Sequence, residues 1–531
     1  MVQFTPVRTR LLLATVAAAL LPVLSIAQQP VAPVPMAPQP PPSQPQPLLL
    51  PAPTPAQQLL AQPLSSQQFQ SCVQALAGQT GLAGRPLNRA DFERITATAQ
   101  YDDRVRQSML VTAGEPTFWW DELAATTDAD RVRAGQAILA GNAPLLQRIE
   151  AQFGVPREIV VAIYGIETNY GPSQGKIPVL DAALSLACLR PCAESAAGAG
   201  SCLSRERAFA AVRVLRDRRV RAENWQGSWA AAFGRTQFVP DSFEQLAVDF
   251  DGDGFADIIG SEADAWATTA NHLKSRGGWD LSVPVYVEVA VPPAQQAEFN
   301  TGGESRRLAD RAQRQSQWNA LGWRALGPNG QAVPLQLAGD PELYPFFPVG
   351  LPGPAFLVTR NFDTVLRYNR SVRYVMEVAL LAHKLAGGSD FATPWPTDDP
   401  GLTRAQVRAV QQWLVQRGHS EVTADGVVGR RTRDAIEKER ALRGMPPGRR
   451  VGQRTAVELM QAAAPAATAV QPPAATMSAP AAGAQPPTTV VVPMPAASGP
   501  PPALIIQPRG VGVRTPVAPP AGGVQPSATR P

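Results

Sequence analysis

The spacing of apolar side chains divides the chain into long helical stretches, a few alternating segments and two ends with no period. "DADRVRAGQAILAGNAPLLQRIEAQFG" (128–154) repeats its apolar residues at helical spacing and predicts helix up to Gly154, a suitable C-cap. "VPREIVVAIYGIETNYG" (155–171) predicts the next helix, with Pro156 in its first turn and Glu158 where an acid complements the helix dipole. "VPVYVEVAV" (283–291) alternates as a strand does, and "PAFLVTRNF" (354–362) reads as another. Farther on, Thr403 caps a helix with Val407, Val410 and Leu414 on one face. Gly418 ends that helix, and "DGVVGRRTRDAIEKERALRGM" (425–445) supplies a turn and a further helix. The pattern predicts a mainly α chain with a small β insertion, followed by a compact helical unit.

Composition then sets the boundaries. The 531 residues are too many for one ordinary domain, and the 55 prolines, about twice the usual share, crowd at the two ends. Arg8 and Arg10, the apolar run "LLLATVAAALLPVL" and the small-residue pattern Ser25-Ile26-Ala27 make residues 1–27 an expected cleavable export signal. An uncleaved anchor is the alternative, weakened by Pro22 and by a run shorter than the roughly 20 apolar residues of a spanning helix. No cysteine stands at the cleavage site, so no lipid anchor is predicted. A Pro/Gln-rich spacer (28–65), a large mixed region (66–390), a linker "FATPWPTDDPG" (391–401), a compact unit (402–463) and an Ala/Pro-rich tail predicted to be disordered (464–531) follow. Net charge falls from +5 to +3 when Arg8 and Arg10 leave, too weak a balance to argue for nucleic acid. Cys72, Cys188, Cys192 and Cys202 fit two disulfides in an oxidising compartment, in any of three connectivities. A structural zinc site is the rival, disfavoured because no histidine lies near "CLRPCAESAAGAGSC".

Three stretches carry candidate chemistry. Glu158 and Glu167 fall on opposite faces of one helix, and Glu167 shares its stripe with Val160, Ile163 and Tyr164. A carboxyl held against apolar groups has its pKa raised, as a general acid needs, although a helix-terminal Glu can equally reach solvent or pair with an arginine. "GSWAAAFGRTQFVPDSF" (227–243) offers Ser228 and Gln237 for hydrogen bonds and, with Trp225 just before it, Trp229 and Phe238 for stacking on sugar rings, with core packing as the plainer alternative. "DFDGDGFADIIGSEAD" (249–264) sets Asp249, Asp251 and Asp253 at alternate positions of an EF-hand-like loop, with the Phe255 carbonyl next. Its twelfth position is Gly260, so closure falls to Glu262 or Asp264; without a cation these acids form a solvated turn.

"YGIETNYG", "GSWAAAFGRTQFVPDSF", "AVDFDGDG", "DAWATTANHLKSRGGW" and "VLRYNRSVRYVMEVALLAHKL" stand in the order found in lytic murein transglycosylases of the B type, and residues 66–387 resemble that family. The resemblance implies an α-rich, lysozyme-like catalytic domain with a small β domain, acting in the periplasm on peptidoglycan glycan strands. It implies Glu167 as the single catalytic acid then base, cutting between N-acetylmuramic acid and N-acetylglucosamine and leaving 1,6-anhydromuramyl ends. Ser228, Gln237, Phe238, Tyr368 and Asn369 match cleft positions, and Asp249, Asp251, Asp253, backbone Phe255 and Asp264 match a metal loop. No organic cofactor and a structural Ca2+ are expected, in a monomer whose further partners include cell-wall synthesis proteins. Arg235 and Thr236 depart from the small or aromatic residues usual there, and the cysteine-rich insertion after Leu186 is not general. Residues 402–463 resemble a three-helix peptidoglycan-binding module through Asp425, Gly426, Gly429 and Thr432, with Glu439 where an aromatic core residue is usual. A muramidase with a second carboxylate across the cleft and a non-catalytic wall-binding scaffold remain the alternatives.

Overall fold

The computed structural model describes residues 60–111, 117–172, 174–190, 192, 202–300, 302–303 and 305–461. The expected export signal, most of the spacer and the Ala/Pro-rich tail lie outside the described residues. The described fold is mainly helical, in the lysozyme-like manner expected, and carries a small antiparallel sheet.

Two apolar clusters form the helical body. The first joins the helices Ser66–Ala77, Val179–Leu189 and Leu203–Arg216. The second surrounds the helix Arg157–Thr168, whose residues Ile159 to Gly165 are all buried. A helix apolar on every side belongs in the middle of a bundle, and Val372–Leu385 and Glu262–His272 close round it. The stretch expected as one helix over 128–154 is two, Ala129–Gly141 and Ala143–Phe153. Pro144, which has no N–H to continue the ladder, opens the second. Gly154 caps its end in the left-handed conformation, φ +68°.

The sheet sits beside this body. Tyr286–Ala290 pairs antiparallel with Phe356–Val358, which pairs with Glu342–Phe347; the first and second lie within the stretches expected as strands. Glu342–Phe347 escapes pattern reading because its five residues from Leu343 onward are buried without alternation and Pro345 interrupts them.

Two disulfides, Cys72–Cys188 and Cys192–Cys202, resolve the connectivity; the first ties the Ser66–Ala77 helix to Val179–Leu189. The stretch expected as a linker is seated rather than free. Phe391 and Trp395 pack on the second cluster, and Asp399 is 5 % exposed. Beyond it the helices Arg404–Gln416, Arg430–Leu442 and Gln453–Gln461 enclose a core of Val407, Val410, Leu414, Ala435, Ile436 and Ala456. Glu439 is buried within this unit, where His419 Nε2 meets its carboxylate at 2.9 Å and Arg443 and Arg417 pair with it.

Candidate active site

Glu167 occupies the last turn of the Arg157–Thr168 helix, half-buried, at a place where the bundle is deep yet open to solvent. The Tyr374 hydroxyl donates to its Oε1 at 2.7 Å. Among the described residues no arginine or lysine pairs with it. Desolvation therefore dominates and pushes the Glu167 carboxyl up to about 7, with the Tyr374 hydrogen bond pulling the other way. Such a group is protonated for part of the time at neutral pH and returns to a carboxylate without the help of a cation, which are the two states an acid and then a base must visit.

Tyr374 opens the Val372–Leu385 helix and stacks on Tyr368, with ring centroids 6.3 Å apart and planes 5° from parallel. Tyr368 donates to the Thr236 carbonyl at 2.6 Å, which joins the wall carrying Tyr374 to the loop after Gly227. In that loop Gln237 adopts a left-handed φ of +52° and donates its amide nitrogen to the carbonyls of Gln174 and Gly234, at 3.1 and 3.0 Å. Both amide hydrogens have acceptors, so what remains to offer a ligand is the acceptor oxygen, the polarity that suits a developing positive charge. Ser228 is half-buried, and its backbone N–H donates to the Ala232 carbonyl at 2.7 Å. Asn369, the residue that ends the Arg360–Tyr368 helix, is exposed.

Phe238, matched to a cleft position, and Trp225 take the core-packing alternative and not the stacking role offered for them. Each is 3 % exposed, with Phe238 edge-on to Tyr368 and His272 and Trp225 edge-on to Phe233. Their rings support the cleft wall from behind and present no free face to a sugar. Trp229 is half-buried.

Four of the six non-glycine residues with left-handed backbone among the described residues, Asn169, Tyr170, Ala231 and Gln237, lie in the two segments that meet here. Strain of this kind persists only where surrounding contacts over-determine it. Thr168 Oγ1 donates to the Arg235 carbonyl at 2.6 Å and binds the two segments together. Arg235, which departs from the family's usual residue, donates to the Tyr164 hydroxyl at 2.8 Å and pairs with Glu262 at 3.4 Å.

Glu262 is thereby turned toward Tyr164, while Asp264, fully buried, faces the acidic loop. Its carboxylate accepts the backbone N–H groups of Phe250, Asp251 and Asp257. Carboxylate oxygens of Asp249, Asp251 and Asp264 lie within 4.8 Å of one another, an all-oxygen set suited to a hard cation. Asp253 stands outside that cluster and accepts the Phe255 N–H, and the Phe255 carbonyl accepts the Asp257 N–H.

Tyr374 is a contact of Glu167 that sequence reasoning missed, and Glu377 is a buried acid on the same helix that it also passed over. Tyr374 lies in the stretch that carries the family resemblance, but helical spacing marks it as one more core aromatic. Glu377, one turn farther along the same helix, has its carboxyl pushed up to about 7 by burial first, then by Glu122 and, most weakly, Glu167, against the pull of Arg131 and Arg373. A cavity of about 790 Å³ lies between the helical body, the seated linker and the C-terminal unit, and Glu167 is not among the residues that line it.

The Transglycosylase SLT domain family matches residues 68–383. Over 262 residues the chain is 33% identical to the membrane-bound lytic murein transglycosylase B of Escherichia coli (strain K12), covering 48% of this chain and 64% of that one, a little under two thirds of its length. It is also similar to crystal structures of SltB3 from Pseudomonas aeruginosa in complex with NAG-anhNAM-pentapeptide and with NAG-NAM-pentapeptide. Each has a TM-score of 0.54 and 33% sequence identity, covering 74% of this chain and 99% and 100% of those chains.

Proposed function

Since the chain belongs to the Transglycosylase SLT domain family, we propose that it is a lytic murein transglycosylase that cuts peptidoglycan between N-acetylmuramic acid and N-acetylglucosamine. The observation that carries the reading is the Glu167 carboxyl, pushed up to about 7 with a neutral phenol as its hydrogen-bond partner. Protonated Glu167 gives its proton to the glycosidic oxygen as the C1–O bond breaks. The resulting carboxylate takes the proton of the muramyl C6 hydroxyl, whose oxygen closes on C1 and forms the 1,6-anhydro ring. No water is consumed and one residue serves both steps. Tyr374 steadies the carboxylate between them, and the acceptor oxygen of Gln237 supports the oxocarbenium-like state.

The test is mass spectrometry of the muropeptides that the mature chain and its Glu167→Gln variant release from purified peptidoglycan. Anhydro-ended products from the first and none from the second are expected; hydrated ends would assign a muramidase instead. Glu377 is the observation that keeps the muramidase in view, and hydrated products that vanish in Glu377→Gln would establish it.

The acidic loop supports a structural Ca2+ held by Asp249, Asp251 and Asp264, with Asp253 and the Phe255 carbonyl able to join on rearrangement. The ion would fix the loop that Arg235 and Glu262 connect to the Glu167 helix. Thermal unfolding in chelator and in added calcium tests this, because a ligand of the folded state alone raises the midpoint. Residues 402–463 are assigned as a wall-binding module of a monomeric enzyme of the periplasm or cell wall, tested by whether their deletion lowers retention on insoluble peptidoglycan. Among the described residues no helix is long and apolar enough to cross a membrane.

A further inference from the structure

The turn that follows Glu167 runs through three left-handed residues in succession: Asn169 at φ +53°, Tyr170 at +64° and Gly171 at +109°. Glycine adopts this backbone freely and asparagine tolerates it, but tyrosine does not, so the turn depends on what grips it. Within the helical body the Tyr170 hydroxyl donates to the Arg131 carbonyl at 2.9 Å, and Arg131 Nη1 donates to the Gly165 carbonyl at 3.0 Å. The side chain of Asn169 is held from elsewhere in the chain: its Oδ1 accepts Arg404 Nη1 at 2.6 Å, across 235 residues of sequence. Arg404 is the first residue of the C-terminal unit's first helix.

The backbone of Arg404 is anchored as well. Its N–H donates to Asp128 Oδ2 at 3.1 Å, while Asp128 Oδ1 accepts the Arg131 N–H at 2.9 Å and caps the Ala129–Gly141 helix. One carboxylate, 6 % exposed, thus serves the starts of two helices from different parts of the chain. A closed circuit results, from Asp128 to Arg131, to the Gly165 carbonyl, to the Asn169 N–H that also donates to Gly165, to the Asn169 side chain, to Arg404 and back to Asp128. Gly165 and Asn169 flank Glu167 by two residues on either side.

The rest of the contact explains why Arg404 stays there. Arg450 forks onto Asp121 at 2.9 and 2.8 Å and reaches Asp399 at 2.9 Å, and Gly401 lies against the Trp120 carbonyl, where an added Cβ would come within 2.2 Å. The C-terminal unit is therefore docked by ion pairs and by one close backbone approach, with the cavity of about 790 Å³ left beside them.

We infer that Arg404 is a positioning residue for the catalytic centre: the C-terminal unit, docked through Asp128 and Asp121, holds the turn after Glu167 and thereby sets where that carboxyl points. The inference rests on Glu167 being the acid and base, and it gives the unit a part in turnover that is separate from any hold on the cell wall.

The experiment compares full-length variants on solubilised peptidoglycan strands. Arg404→Ala lowers kcat about tenfold with KM within about twofold, since a small misplacement of a reacting group is felt in the chemical step. Arg404→Lys restores part of the rate. Asn169→Ala lowers kcat comparably, and adding Arg404→Ala to it costs nothing further, because the two act through one hydrogen bond. Unchanged kcat in Arg404→Ala, a loss confined to KM, or losses that multiply in the double variant would overturn the inference. Should Arg404→Ala not fold, the cycle is run with Arg404→Lys and Arg404→Gln on the same criteria. Glu167→Gln, measured alongside, separates the two claims: full activity there overturns the assignment of Glu167, whereas an inactive Glu167→Gln beside a fully active Arg404→Ala overturns the brace alone.

Discussion

Glu167 in the cleft and Glu439 in the C-terminal unit are both acids removed from water, and the chain treats them in opposite ways. Glu439 is the more buried, at 1 % exposure, yet its carboxyl is held below the usual range. Burial works against its charge, but hydrogen bonds from His419 and Arg443 and the nearby charges of Arg443 and Arg417 outweigh burial. Glu167 has a phenol where Glu439 has cations, and it rises to about 7. Depth alone does not set the protonation state of a buried acid; the charge of its partners does. A carboxylate locked as an ion is good for holding helices in place, and one left between two states is good for moving a proton.

The largest effect that sharpens this contrast is on turnover. Glu167→Gln is expected to lower the release of anhydro-ended muropeptides by about a thousandfold or more, the scale on which a lost proton-transfer group is felt. The same substitution should stabilise the fold above neutrality. Because the folded pKa of Glu167 lies above the unfolded value, the folded state binds the extra proton, and stability is lost as pH rises from about 4.5 to about 7. Glutamine carries no such loss. The variant should therefore exceed the wild type at pH 8 by on the order of 2–3 kcal/mol and match it at pH 4, read by urea unfolding at both values.

Glu439→Gln should move stability the other way. Removing one member of a buried ionic cluster leaves Arg443 and Arg417 without their counter-charge, a loss of about 3 kcal/mol or more. A carboxyl whose folded pKa is depressed contributes its stability above the unfolded pKa and forfeits it as pH falls through the folded one, so the deficit should be full at pH 7 and shrink in acid. Proteolysis of the C-terminal unit, followed by mass spectrometry against pH, would report it; equal susceptibility of variant and wild type at pH 7 would break the contrast.

A smaller effect belongs to Tyr374. Tyr374→Phe removes the hydrogen bond that favours the Glu167 carboxylate, so the pKa of Glu167 should climb by about one further unit. The falling limb of kcat/KM against pH, which marks loss of the protonated acid, should shift upward by the same amount while the maximal rate drops about tenfold. A limb that stays in place would mean that Tyr374 serves the substrate and not the carboxyl.

What the sequence revealed follows from the range of the interactions concerned. The helix Arg157–Thr168 and the inward face of Glu167 were legible because both depend on neighbours within a few turns. The Asp249–Asp264 loop was legible for the same reason, with Asp264 named as its closing acid through the family resemblance; the structure adds that Glu262 is turned toward Tyr164 and Arg235. Tyr374 reaches Glu167 across 207 residues and Arg404 reaches Asn169 across 235, and no local period encodes either meeting. Phe238 and Trp225 show the converse limit. An aromatic ring suits a sugar face and a hydrophobic core equally, and only the packed structure, with both rings edge-on to other rings, decides between them.

The smallest expected effect is the most discriminating, because it holds residue type and helix constant. Glu158 stands nine positions before Glu167 on the opposite face, and Arg157 Nε donates to its Oε1 at 3.1 Å. A half-buried pair between adjacent residues at a helix start contributes little, so Glu158→Gln should change stability by less than about 0.5 kcal/mol and leave turnover as it was. Glu167→Gln, in the same helix and with the same atoms exchanged, should alter both. If Glu158→Gln also shifted the pH profile, the helix as a whole would be setting the field at the cleft. If it does not, the special chemistry of Glu167 comes from its surroundings: the apolar helices around it, the phenol of Tyr374, and a turn gripped by Arg404 of the C-terminal unit.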